Sequence, residues 1–180
     1  MKKKLLASVV AIALVACCVI GGTLAWLTDK TDPVVNTFTV GNVNIDLDES
    51  DDLDLKIVPG KNITKDPEVT VKANSEDCYV FVEIESDNWI DGMTYSIDET
   101  AGWQDLPGVT GVYYQVVSAS NADQVINVLA NQQVVVSGDI TKETLDAVTT
   151  APTLTFTAYA VQFEGMTDVN AAWTAAQANA

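Results

Sequence analysis

Histidine and arginine are both absent from the 180 residues. Losing histidine removes the usual general base near neutral pH and the commonest zinc ligand. Nor does the chain contain an HExxH pair, a GxSxG elbow or a Gly-rich phosphate loop ahead of a helix. Cysteine is scarce, with Cys17, Cys18 and Cys78 as the full complement. Cys78 has no histidine to activate it, which excludes a Cys–His nucleophile. Paired carboxylates could act on sugars, but nothing singles out one pair among the 25 acidic residues. These absences point away from an enzyme.

Positive charge is also thin, and three of the nine lysines stand at positions 2–4. From Leu5 to Ile20 no residue is charged and only Ser8 is polar, after which Gly21-Gly22-Thr23-Leu24-Ala25 supplies small residues. A basic start, an apolar run and a small-residue exit form an export signal. The reading adopted is a signal peptide over 1–25, cut between Ala25 and Trp26. Two alternatives stand beside it. One is a retained anchor from Leu5 to Leu27, long enough to span a bilayer but broken by the Gly pair and followed by no basic cluster. The other is a lipoprotein signal, Leu14-Val15-Ala16-Cys17, with Cys17 acylated; there Cys18-Val19-Ile20 prolongs the apolar run where a polar tether is expected.

Cleavage at Ala25 leaves six lysines against 25 acids, a net charge of −19. Such a surface repels phosphate backbones and anionic lipid heads, so neither nucleic acid nor stable membrane insertion is expected. Copies packing side by side would need cations or salt. Cys78 would be the sole remaining thiol. It reads as a small buried hydrophobe beside Tyr79-Val80-Phe81-Val82, with an intermolecular thiol as the sharper alternative.

The hydrophobic period is two. Phe38 and Val40 alternate with threonines; Gly41-Asn42 interrupts; then Val43, Ile45 and Leu47 alternate with Asn44, Asp46 and Asp48. Leu53, Leu55 and Ile57 alternate with Asp52, Asp54 and Lys56 up to the turn signal Pro59-Gly60. Val69 and Val71, then Val80, Val82 and Ile84, then the runs 111–117, 134–136 and 154–163 read as further strands. Helix signals are few: a short stretch from Thr141 to Val148, and an Ala-rich C-terminal helix from Asp168, capped by Thr167 or Asp168. The pattern predicts a mainly β chain: a single jelly-roll-like β-sandwich with one or two short helices, behind a signal-peptide helix.

One cluster of candidate ligands appears. Asp46, Asp48, Asp51 and Asp52 offer oxygens that calcium favours, although the EF-hand pattern fails for want of a Gly at its sixth position. The competing reading is a solvated strand edge whose like charges discourage pairing. No other cofactor is expected. Trp89, Trp103 and Trp173 are assigned to core packing and lid contacts. Trp26-Leu27 would form an apolar free end, which asks for a docking partner.

The segments 21–29 and 35–47, Gly-Gly-Thr-Leu-Ala-Trp-Leu-Thr-Asp and Val-Asn-Thr-Phe-Thr-Val-Gly-Asn-Val-Asn-Ile-Asp-Leu, closely resemble the start of the TasA/camelysin family. Ile57-Val58-Pro59-Gly60-Lys61 and the strand 154–162 are similar to later parts of it. The resemblance implies an exported Gram-positive protein, processed by a SipW-type signal peptidase. It implies further that the protein polymerises head to tail into extracellular biofilm-matrix fibres, with minor fibre subunits as potential partners. The domain plan is then a signal peptide 1–25, an N-terminal arm 26–40, and a jelly-roll domain 41–180. Trp26, Leu27, Val34, Val35, Phe38 and Val40 would form a strand donated to the next copy. Main-chain hydrogen bonds and pocket-filling side chains suit such a donor, and a heterologous contact builds filaments. Some members of the family are described as metalloproteases; lacking histidine and a zinc motif, this sequence does not carry that activity over. A non-polymerising secreted or surface binding module is the alternative, and a hydrolase ranks third.

Overall fold

A computed structural model describes residues 42–50 and 55–178. All of these lie within one compact unit, Val34–Ala180; the other unit, Met1–Pro33, falls outside the described residues. The expected cleavage site and donor segment, Ala25 to Val40, therefore lie outside them as well.

Ten strands and two α-helices are present among the described residues. The strands are β1 (Ile45–Asp48), β2 (Ile63–Thr64), β3 (Glu68–Val71), β4 (Cys78–Asp87) and β5 (Met93–Thr94). They continue with β6 (Gln104–Asp105), β7 (Val112–Val117), β8 (Gln124–Asn127), β9 (Gln133–Val136) and β10 (Thr153–Gln162). Helix α1 spans Lys142–Asp146 and α2 spans Val169–Gln177. Every strand pairing is antiparallel. The mainly β sandwich read from the sequence is the fold observed, with three sheets.

The frame is the ten-residue pair β4–β10, in register from Cys78 opposite Gln162 to Asp87 opposite Thr153. Neither strand contains Gly or Pro, and both are rich in β-branched and aromatic residues, which suits a pleated, buried surface. With β7 and β6 they form a sheet ordered β10-β4-β7-β6. Val80, Val82, Ile84, Ala158 and Ala160 on its inner face meet Ile45, Val69, Val71 and Ile126 of the sheet β1-β3-β8. Trp103 closes one side of this core: it is 2% exposed and its indole Nε1 donates to the Asn127 carbonyl at 2.8 Å. The third sheet, β2-β9-β5, keeps its own core of Ile63, Met93, Val134, Val136 and Ile140, with Leu145 of α1 packed against it.

The sequence patterns locate most of this. Thr141 caps α1, accepting from the Thr144 amide, and Asp168 caps α2, accepting from the Ala171 amide. Of the expected strand over 53–57, residues 53 and 54 lie outside the described residues, and 55–57 form no strand. The apolar residues there separate, Leu55 standing 56% exposed while Ile57 packs on the third core. The turn beyond is as read: the Lys61 amide donates to the Val58 carbonyl at 2.9 Å, and Gly60 takes φ +77° at the position a type II turn reserves for glycine.

Candidate functional site

Strand β1 carries the acidic run, and its neighbours tie much of it down. Asp46 faces Lys72 of the following β3–β4 connection, with Nζ to Oδ2 at 2.6 Å, and the same ammonium lies 3.6 Å from Asp123. The hydrogen bond to Asp46 is the chief cause that raises the Lys72 pKa above its ordinary value. One residue beyond the strand, Glu49 receives Lys65 at 2.5 Å, and that ammonium also lies 5.5 Å from the centre of the Phe156 ring. Ser50 donates its hydroxyl to Asp66 at 2.6 Å and its amide at 3.2 Å. The Asp66 carboxyl is held below the usual carboxylate range, first by the Ser50 hydroxyl.

The four calcium candidates are thus placed unequally. Asp46 is engaged by a lysine, and Asp48 is exposed, opposite Glu68 in the β1–β3 register. Asp51 and Asp52 lie outside the described residues. Acids facing one another across a strand pair repel, as an edge kept from pairing with other sheets would have it. Among the described residues no group of three Asp, Glu or Cys side chains is arranged to hold a metal.

Cys78 opens β4 on the inner face and is fully buried. Burial pushes its thiol up to about 12, with the Asp77 charge adding to the shift. A thiol that stays protonated is neither nucleophile nor ready ligand. The small buried hydrophobe read from the sequence is what the fold contains.

Two surface depressions lie among the described residues. One, of about 380 Å³, is lined by Ile97, Glu99, Trp103, Gln104 and Asp105. The other, of about 350 Å³, lies beside α1 and is walled by Asn88, Trp89, Asp91, Thr144, Thr149 and Thr150. Trp89 is held rigid there: its Nε1 donates to the Met93 carbonyl at 2.8 Å and its ring meets Tyr95 edge-on at 5.8 Å. Trp103 and Trp173 sit in cores, 2% and 6% exposed; Trp26 lies outside the described residues.

The feature most relevant to assembly is an edge. In the three-stranded sheet, β1 and β8 pair only with β3 among the described residues. The outer row of β8 is closed at one end, where the Asn127 carbonyl accepts from the Trp103 indole, and β1 carries acids that discourage pairing, so each offers only a partial row to a further strand. Strand β8 escaped the sequence reading, since Gln124-Val125-Ile126-Asn127 holds only two apolar residues, of which Val125 is 58% exposed. The helical cover over Phe81 was equally hidden; an aromatic on the supposedly polar face of β4 was the available signal.

Residues 1–87 match the family profile described as camelysin metallo-endopeptidase. Over this stretch the chain is similar to the camelysin family. It takes in the expected leader and arm, residues 1–40, and the strands through β4, in keeping with the resemblance to TasA and camelysin over the N-terminal part of the chain. No curated protein and no solved structure matches. The family description names a metal-dependent peptidase, and the residues here do not fit one. Catalytic zinc sites take three protein ligands, commonly led by histidine, whereas this chain has no histidine and a buried, protonated Cys78. No helix among the described residues is long and apolar enough to cross a membrane.

Proposed function

We propose that this chain, similar to the camelysin family over residues 1–87, is a secreted structural subunit that self-assembles head to tail into extracellular fibres of a biofilm matrix. Export and cleavage after Ala25 by a SipW-type peptidase would free the arm Trp26 to Val40. That arm would add as a strand to the next copy. The observation that carries the reading is the family match over residues 1–87, which spans the proposed leader, the proposed arm and β1. The partial rows that β1 and β8 leave unpaired among the described residues support it, since donated strands need an unpaired edge.

The charge of the cleaved chain sets a condition on assembly. At −19, copies repel, and screening falls within about 10 Å at 0.1 M salt. Fibres should therefore form more readily with added salt or Ca²⁺. Electron microscopy of the purified mature chain tests the reading. Fibres that disappear when Trp26 to Val34 are deleted are expected; monomers that never polymerise, even seeded and with Ca²⁺, would sink it.

The cleft at Trp89 favours one second reading, a non-polymerising binding module. A rigid indole beside amide, carboxylate and hydroxyl groups suits a neutral polyhydroxylated ligand. Fibre formation separates the two.

A further inference from the structure

The outer face of the four-stranded sheet is covered by α2 over only part of its length. The helix sets Trp173 on Phe81, with ring centroids 5.2 Å apart, and edge-on to Tyr159 at 5.0 Å. Two residues along the strands, the next row runs Val161, Tyr79, Val116 across β10, β4 and β7, with Val161 3% exposed in the same core as Trp173 and the row opening toward Val116. Tyr79 stacks on Phe163 at 4.9 Å between centroids. Phe163 remains 43% exposed and Val116 49% exposed. An aromatic shelf of contiguous apolar side chains on so acidic a protein marks a contact surface.

The chain enters the described fold beside this shelf. The Asn42 carbonyl accepts from the Glu76 amide at 3.0 Å, and the Asn42 side chain donates to the Asn74 carbonyl at 2.8 Å. The next residue, Asp77, accepts from the Phe163 amide at 2.7 Å. Asn42 and Phe163 are thus bound to consecutive residues. An extended chain advances about 3.3–3.6 Å per residue, so the few residues ahead of Asn42 are long enough to cross the shelf. Those residues suit it: the stretch 34–40 reads Val-Val-Asn-Thr-Phe-Thr-Val and bears no charge. In an extended form Phe38 and Val40 share one face, while Thr37 and Thr39 share the other.

We propose that in the monomer residues 34–40 lie in cis across Tyr79, Val116 and Phe163, with Phe38 and Val40 turned onto the shelf. This contact belongs to the single subunit and stands whether or not fibres form. Where fibres do form, it gives the arm a docked state with which the neighbouring copy must compete.

Disulfide trapping on the mature chain from Trp26 tests it. Phe38→Cys is paired with Val116→Cys on the shelf, or with Val125→Cys on the other sheet as a control; native Cys78 stays, being fully buried. Under dilute, mild oxidation, the Val116 pair is expected to form an intrachain cross-link and the Val125 pair is not. Interchain ladders, equal trapping by the control, or no cross-link at all would each overturn the proposal. As a second measurement, Phe163→Ser should speed proteolytic cleavage within residues 34–40 by about tenfold while the sheet's circular dichroism is kept; an unchanged rate also overturns it. Fibres without the cis cross-link reject this contact alone, and the cross-link without fibres rejects the assembly reading alone.

Discussion

The two faces of the sheet β10-β4-β7-β6 bury apolar side chains by different means. Its inner face, lined by Val80, Val82, Ile84, Ala158 and Ala160, meets another sheet. Small and β-branched side chains fit there because two pleated surfaces interdigitate across about 10 Å. Its outer face, with Tyr79, Phe81, Tyr114 and Tyr159, meets a nine-residue helix. A helix is a narrow cylinder and contacts a sheet along one stripe, so large rings fill the space to either side. The helix contributes Ala172, Ala176 and a single Trp173. The inner face is therefore supported from many directions and the outer face chiefly from one.

Removing that support is the largest perturbation expected. Trp173→Ala should cost about 3–5 kcal/mol, because the ring touches both Phe81 and Tyr159. Urea unfolding would measure it. A loss under about 1 kcal/mol would mean that the outer face is held by something other than α2. Ile84→Val on the inner face, by contrast, should cost about 0.5–1.5 kcal/mol, since Ile84 is 5% exposed and many neighbours remain.

The inner face has one internal exception. Gln115 of β7 lies opposite Val80, is 8% exposed, and its Nε2 has no hydrogen-bond partner among the described residues. A buried donor left unmade costs about 1–3 kcal/mol. Gln115→Met keeps the volume and removes the donor, so stability should rise by about 1–2 kcal/mol in the same assay. A drop in stability would show that the amide makes a bond the structure does not contain.

How much of this contrast could be read beforehand depended on which face a residue served. Val80, Val82 and Ile84 announced the inner face through period two, and 154–163 announced its partner strand. Phe81 marked the outer face only as an aromatic where period two calls for a polar residue, and one such residue does not say what covers it. The cover comes from Trp173, 92 residues on, and only the fold joins them. Strand β8 was hidden for a related reason: its polar ends, Gln124 and Asn127, sit at an edge where alternation is not enforced by burial on both sides. On the acidic run, Asp46 and Asp48 were legible as a charged strand. Its pairing with Lys72 and Lys65 was not, since salt-bridge partners 16 or more residues away leave no local pattern.

The cap of α2 tests whether the helix stands by itself or is carried by the sheet. The Asp168 carboxylate accepts from the Ala171 amide at 2.9 Å. Asp168→Ala should cost about 1 kcal/mol, well below the cost of Trp173→Ala. If the two costs match, the helix end rather than the aromatic packing limits the stability of the outer face.

The smallest effect is a pH dependence confined to the outer face. The Tyr159 hydroxyl donates to Glu83 at 3.0 Å, and burial, followed by that bond, pushes its pKa up to about 12. An unfolded tyrosine titrates near about 10. With the folded value raised, the neutral phenol favours the folded chain, so its contribution is complete below about pH 10 and vanishes as pH rises through about 12. Tyr159→Phe removes that contribution while keeping the ring on Trp173. The urea midpoint of the parent should exceed that of the variant at about pH 9, and the difference should close between about pH 10 and 12. Tyr95 and Tyr113, also raised by burial, are present in both chains and cancel in the comparison. A difference that stays constant across this window would separate the Tyr159–Glu83 bond from titration and leave it a neutral packing contact.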